Sequence, residues 1–234
     1  MTGTAAGKKI RVWDLPTRLF HWLLVLAIGA AWFTGENGGN WLIWHGRLGL
    51  LIVGLVAFRL AWGFVGSTYA RFATFFPTPC KVKAHLAGAW HGLGHNPLGA
   101  LSVLGLLALV AFQAATGLFA YNDDIAYEGF LYPLVGSAAS ELATRLHHQG
   151  FDLLLILAGI HVAAIVFYGR VKKDNLLKPM ITGDKEVEQG ISAQGGGPIA
   201  FVLALAFALA VVWGASGAWI SKPPPAPPAA TPAW

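Results

Sequence analysis

The sequence predicts an all-α membrane protein: a four-helix transmembrane bundle joined to a fifth, C-terminal transmembrane helix. Three observations predict it. Of 234 residues, 56% are hydrophobic and only 12% are charged, against about a quarter charged in an ordinary soluble domain. The mean hydropathy is +0.58. Five apolar runs reach the roughly 20 residues needed to cross a hydrocarbon core, and the 16 Lys/Arg and 11 Asp/Glu residues fall mostly between them.

The first run, Leu15–Thr34, follows a basic leader, MTGTAAGKKIRVWD. It is too long for a signal-peptide core, and Trp32 and Phe33 stand where a small-residue cleavage motif would be needed, so it reads as a retained helix. The remaining runs are His45–Val65, Pro97–Ala120, Leu146–Gly169 and Pro198–Ile220. Residues 1–180 therefore form the bundle. Residues 181–197 form a linker containing GDKEVEQGISAQGGG, charged and then glycine-rich, which reads as flexible. Residues 198–220 supply a fifth helix without His, Arg, Lys, Asp or Glu, and residues 221–234 a proline-rich, extended tail. Between the second and third helices, Phe72, Phe75, Phe76 and Trp90 suggest a segment lying on the membrane surface.

Basic residues favour the cytoplasmic side. Lys8, Lys9, Arg11 and Arg18 precede or open helix one; Arg71, Lys81 and Lys83 follow helix two; Arg170, Lys172, Lys173, Lys178 and Lys185 end or follow helix four. The loop after helix three carries Asp123, Asp124, Glu128 and Glu141 against Arg145. The pattern predicts a multi-pass membrane protein with the N-terminus in the cytoplasm and the C-terminus outside. The net charge of +5 is then a topology signal, and no nucleic-acid role is implied. The single cysteine, Cys80, excludes an intramolecular disulfide, a thiolate-bound iron–sulfur cluster and a covalently attached CxxCH haem.

Ionisable groups within spans are costly and mark function. His21, His45, His147 and His161 occupy such places. His147 and His161 are 14 residues apart, close to four helical turns and about 21 Å of axis, so both project from one face near opposite ends of the span. His148 is rotated by roughly 100° from His147 and faces elsewhere. Depth pairs His21 with His161 near the cytoplasmic side and His45 with His147 near the outer side. Facing imidazoles from two helices suit axial ligation of haem iron, which makes the predicted fold a di-haem bundle. Arg59 repeats the 14-residue interval after His45. Its guanidinium, with Arg47 at the outer end and Arg18 at the inner end, suits haem propionates through paired, charge-assisted hydrogen bonds. A zinc or copper cluster is disfavoured, because the inward histidines are too far apart along the axis. His85, His91 and His95 read as surface histidines, His95 in a position to help begin helix three. Gln113 and Thr116 read as contacts between helices, and Asp152 either as a proton carrier or as a bonded helix acid.

The segments RVWDLPTRLFHW, WHGRLG, GHNPLGALSVLGLLALVAFQAATGLF and LHHQGFDLLLILAGIHV resemble the bacterial cytochrome b-561 family, over about residues 10–180. That family includes the b-type cytochrome subunits of nickel–iron hydrogenases and stand-alone quinone-linked relatives. The resemblance implies two bis-histidine haems b, with iron held by the family's ligand pattern at His21, His45, His147 and His161. It also implies respiratory electron exchange between quinone and a periplasmic partner, a c-type cytochrome or a dehydrogenase or hydrogenase subunit. Two other readings are open from the sequence: a superoxide oxidase that reduces quinone, with Arg47 or Arg145 attracting the anion, and a haem-free membrane anchor or transporter.

Overall fold

A computed structural model describes residues 8–123 and 127–221. The proline-rich tail from residue 222 onward lies outside them. The elements in chain order are β1 (Lys8–Arg11), α1 (Leu15–Asn37), α2 (Trp41–Val65), the short α3 (Phe72–Phe75) and α4 (Pro79–Leu86), α5 (Pro97–Phe119), β2 (Tyr121–Asn122), β3 (Tyr127–Glu128), α6 (Ser137–Arg170), α7 (Leu177–Thr182), β4 (Asp184–Val187) and α8 (Pro198–Ala215). Among the described residues, α1, α2, α5, α6 and α8 are long and apolar enough to cross a membrane.

Two of the spans, α1 and α5, start on a side-chain cap. Asp14 accepts from the Thr17 amide at 2.7 Å, with Pro16 in the first turn of α1. Asn96 accepts from the Gly99 amide at 2.7 Å, and Pro97 opens α5. Both use the preference for Asx caps followed by proline, whose missing N–H is unpaired there anyway. The link from α1 to α2 is short because Gly38 and Gly39 take φ values of +59° and +53°, which glycine adopts without a Cβ clash. Helix α2 consequently begins at Trp41, and His45 lies about one turn inside it rather than at its start. Helix α6 begins nine residues before the expected Leu146. Its first turns, SAASELATRL, are too polar for a hydropathy window but contain good helix formers. Thr144 fastens them to the β2–β3 hairpin by exchanging hydrogen bonds of 3.0 Å with the backbone of Tyr121. Helix α8 stops at Ala215, where Ser216 and the left-handed Gly217 (φ +64°) turn the chain.

In sequence order α1 packs on α2, α2 on α5, and α5 on α6, while α8 lies along α2. Large side chains such as Leu26, Phe64 and Ile199 face outward, as lipid permits. Close approach of α8 relies on small residues, since helix association in lipid depends on packing rather than water exclusion. Ala204 and Ala208 bury against Ala57, Phe58 and Trp62, and a Cβ on Gly54 would lie 2.8 Å from Val212. Mid-bundle, Ala27, Ala31, Ile52, Val56, Leu107, Val110 and Leu154 form an apolar layer.

The stretch expected to be a flexible linker is tied down. β4 pairs antiparallel with β1, Lys8 opposite Val187 and Arg11 opposite Asp184. Asp184 binds Lys9 at 3.4 Å and Arg11 at 3.3 Å; burial opposes its ionisation, but these two cations prevail and hold its carboxyl below the usual value. Further on, Ala193 donates to the Arg11 carbonyl, and Thr68 to that of Gln194. Composition misses this because the pairing partner lies at the other end of the chain. The pairing also puts β1 and β4 on one side of the bundle, as four spans between them require, with the β2–β3 hairpin at the opposite end.

Candidate functional site

At the β2–β3 end the structure brings His45 and His147 together. Their ring centres are 6.0 Å apart and the rings are nearly perpendicular, at 85°. Each ring is oriented by a backbone carbonyl: His45 Nδ1 lies 2.9 Å from the Ala31 oxygen, and His147 Nδ1 lies 2.9 Å from that of Gln113. A carbonyl only accepts, so Nδ1 carries the proton in both rings and Nε2 keeps its lone pair. Outer hydrogen bonds of this kind orient metal-binding imidazoles and raise their basicity. Two glycines admit the rings at close range. A Cβ on Gly35 would meet His45 Nδ1 at 3.0 Å, and one on Gly117 would meet His147 Cε1 at 2.9 Å.

Between α1, α2, α5, α6 and the hairpin lies an apolar cavity, open on one side and lined by both histidines together with Gly49, Trp32 and Phe151. Two axial imidazoles on one iron have ring centres roughly 6 Å apart, from about 2 Å per metal–nitrogen bond and about 1 Å from nitrogen to ring centre. The observed 6.0 Å matches. The paired imidazoles, each with Nδ1 on a backbone carbonyl and both lining the apolar cavity, are donors suited to haem. The chain therefore fits haem at this end.

His21 and His161 stand at the β1–β4 end, near enough for their charges to interact. His161 Nδ1 lies 3.2 Å from Ser102 Oγ on α5. His21 Nδ1 is buried without a partner among the described residues, and the same is true of Arg59 Nη1 and Arg18 Nε. Arg59 is only 3% exposed, its guanidinium 4.8 Å above the Phe72 ring. No carboxylate lies within ion-pair distance of it among the described residues, although Asp14 acts on it from further away. Arg18 is partly committed to the Ile181 carbonyl. Arg47 stands apart: it is exposed, stacked on Trp44 at 4.9 Å, and does not line the void beside His45.

These side chains sit in a membrane bundle with the donor set of a haem protein, and the comparisons agree. A family model described as prokaryotic cytochrome b561 matches residues 12–183. The chain belongs to that family. It is accordingly a multi-pass membrane b-type cytochrome, a haem-carrying electron-transfer protein. Its relatives include the probable Ni/Fe-hydrogenase B-type cytochrome subunit of Azotobacter vinelandii, 27% identical over 214 residues, covering 74% of this chain and 87% of that protein. The corresponding subunit of Rhizobium leguminosarum bv. viciae is 24% identical, covering 76% and 89%. The probable Ni/Fe-hydrogenase 1 B-type cytochrome subunit of Escherichia coli K12 is 24% identical over 150 residues, covering 51% and 63%. No solved structure matches.

The other histidines divide. His148 is exposed, its ring edge-on to His147, but it does not face wholly elsewhere, since it also borders the cavity that His45 and His147 line; Asp152 is exposed. His85 Nε2 lies 3.0 Å from the Tyr168 hydroxyl. His95 differs from its expected surface role. It is held between Trp13 and Phe75, with ring centres at 4.5 and 4.7 Å. Burial, then the charges of Arg59, His161 and His21, push its imidazole down to about 3, so the ring is neutral. Asn96, not His95, caps α5. Gln113 does join helices, but through its backbone carbonyl.

Proposed function

We propose that His45 with His147, and His21 with His161, each hold one haem b, and that the chain passes electrons across the membrane between quinone and a periplasmic redox partner. The observation that carries this reading is the 6.0 Å His45–His147 pair, with both Nδ1 atoms committed to carbonyls. Haem b supplies one-electron chemistry between ferric and ferrous iron. The protein supplies the rest. Backbone carbonyls fix two of the imidazoles, Ser102 supports a third, and Arg59 and Arg18 offer cations to propionates at the β1–β4 end. The apolar layer from Ala27 to Leu154 keeps water from the space between the two levels.

Unbroken α6 carries both of its histidines, so its 14-residue interval sets the levels about 21 Å apart along the axis. The basic residues favour the β1–β4 end as cytoplasmic, which makes the hairpin end periplasmic. The hydrogenase subunits among the relatives favour a hydrogenase as the electron donor, with a c-type cytochrome as the other candidate partner. The test is a reduced-minus-oxidised visible spectrum of purified protein with haem counted per chain. Two b-type haems in the wild type, and one in His161→Ala and in His147→Ala, are expected. A single wild-type haem, or two haems surviving in either variant, refutes the pairing.

A further inference from the structure

Buried polar atoms without partners are not spread evenly over this molecule. Thr17 Oγ1, Arg18 Nε, His21 Nδ1, Arg59 Nη1 and His95 Nδ1 all lie at the β1–β4 end, and all lack a hydrogen-bond partner among the described residues. At the hairpin end the corresponding atoms among the described residues are Gln113 Oε1 and Ser140 Oγ, neither of them on a cation. Native proteins leave few buried polar groups unsatisfied, and an uncompensated buried cation is costlier still. Asp14 does not resolve the excess, since Oδ1 accepts from the Thr17 amide and Oδ2 from Trp62 Nε1 at 3.0 Å. The cluster therefore calls for an anion with several acceptor oxygens.

We infer that His95 is a ligand of that anion: with Arg59 it forms a two-sided clamp for a propionate of the haem at the β1–β4 end. The two groups approach one ring, Phe75, with the His95 ring at 4.7 Å and the Arg59 guanidinium at 6.0 Å. Trp13 also packs on His95, with ring centres 4.5 Å apart and planes tilted by 51°. Arg59 supplies charge, and the neutral imidazole supplies a hydrogen bond of fixed direction through a buried Nδ1. This inference rests on the proposed inner haem but adds a residue outside the spans, on the loop just before α5.

The test compares His95→Phe, which keeps the aromatic stack and loses the donor, with His95→Gln, which keeps a donor, in full-length haem-loaded protein. Without the donor a propionate stays more negative beside the iron and favours the ferric state. Potentiometric titration of His95→Phe should show the inner haem favouring its oxidised form three- to tenfold more, a fall of about 30–60 mV at 59 mV per tenfold for one electron. The outer haem should not move, and His95→Gln should restore most of the shift. The propionate bending band in the resonance Raman spectrum should change in the Phe variant alone. Two haems at wild-type potentials with an unchanged propionate band in His95→Phe overturn the inference. So does an equal shift of both haems, which would report a general structural effect. A wild-type protein with one haem fails differently, overturning the two-haem reading and this one with it.

Discussion

Replacing Gly117 by alanine puts the hairpin-end pair under direct test. In an otherwise unconstrained helix the change stabilises by about 1 kcal/mol. At Gly117 the new methyl would stand 2.9 Å from Cε1 and 3.1 Å from Nδ1 of His147. The imidazole cannot retreat freely, because Nδ1 is held 2.9 Å from the Gln113 carbonyl. Overpacking costs about 1–3 kcal/mol, and loss of the hydrogen bond about 0.5–1.5 kcal/mol more. After the helix gain is subtracted, the net penalty is about 0.5–3.5 kcal/mol. A central value of about 2 kcal/mol weakens haem binding at this level roughly 30-fold. Gly29→Ala is the control: it is on α1, exposed, with nothing within 4 Å of the added carbon, and should bind haem as the wild type does. Haem titration into depleted protein, followed at the Soret band, reads both variants. Wild-type affinity for two haems in Gly117→Ala would refute the argument that His147 is the ligand held in this cradle.

Three further outcomes are expected. Ser102→Ala removes the acceptor beside His161 Nδ1, making that ligand less basic; redox titration should show the inner potential rising, opposite in sign to His95→Phe. Arg59→Leu should raise the melting temperature of haem-depleted protein, because an unpaired buried cation is removed, yet weaken inner haem retention in loaded protein; melting curves of both forms check the reversal. The β1–β4 strap should open in acid: the Asp184 carboxyl is held below its ordinary value of 3.8, so its contribution is present above that pH and is lost as pH falls through the lower folded value. Pepsin cleavage near residues 184–197 should accelerate over that range, and Asp184→Asn should be cleaved readily before it.

How far the sequence could be read depended on whether the signal was local. Apolar runs fix the five spans, since hydrocarbon thickness sets a length that composition alone reveals. The 14-residue interval from His147 to His161 places both side chains on one face because α6 is one continuous helix between them. His95 was not legible, because its burial depends on Trp13 and Phe75, which reach it only through the fold. Its one local sign was position: an imidazole just before the Asn96–Pro97 cap, at the same end as His21. Arg47 shows the converse, since two residues beyond His45 on a helix means a rotation of about 200°, and side-chain type alone suggested a role that placement does not favour. The β1–β4 pairing left no trace in composition, as four-residue strands far apart in sequence carry no periodicity of their own.

That strap also bears on the order of events during synthesis. Residues 8–11 leave the ribosome first, but their partners at 184–187 emerge only after four spans have been made. At a chain growth of about 5–20 residues per second, the N-terminal strand waits on the order of ten seconds or more for its mate. During that interval residues 8–11 have no strand partner, and the two ends of the bundle's chain are not yet tied together.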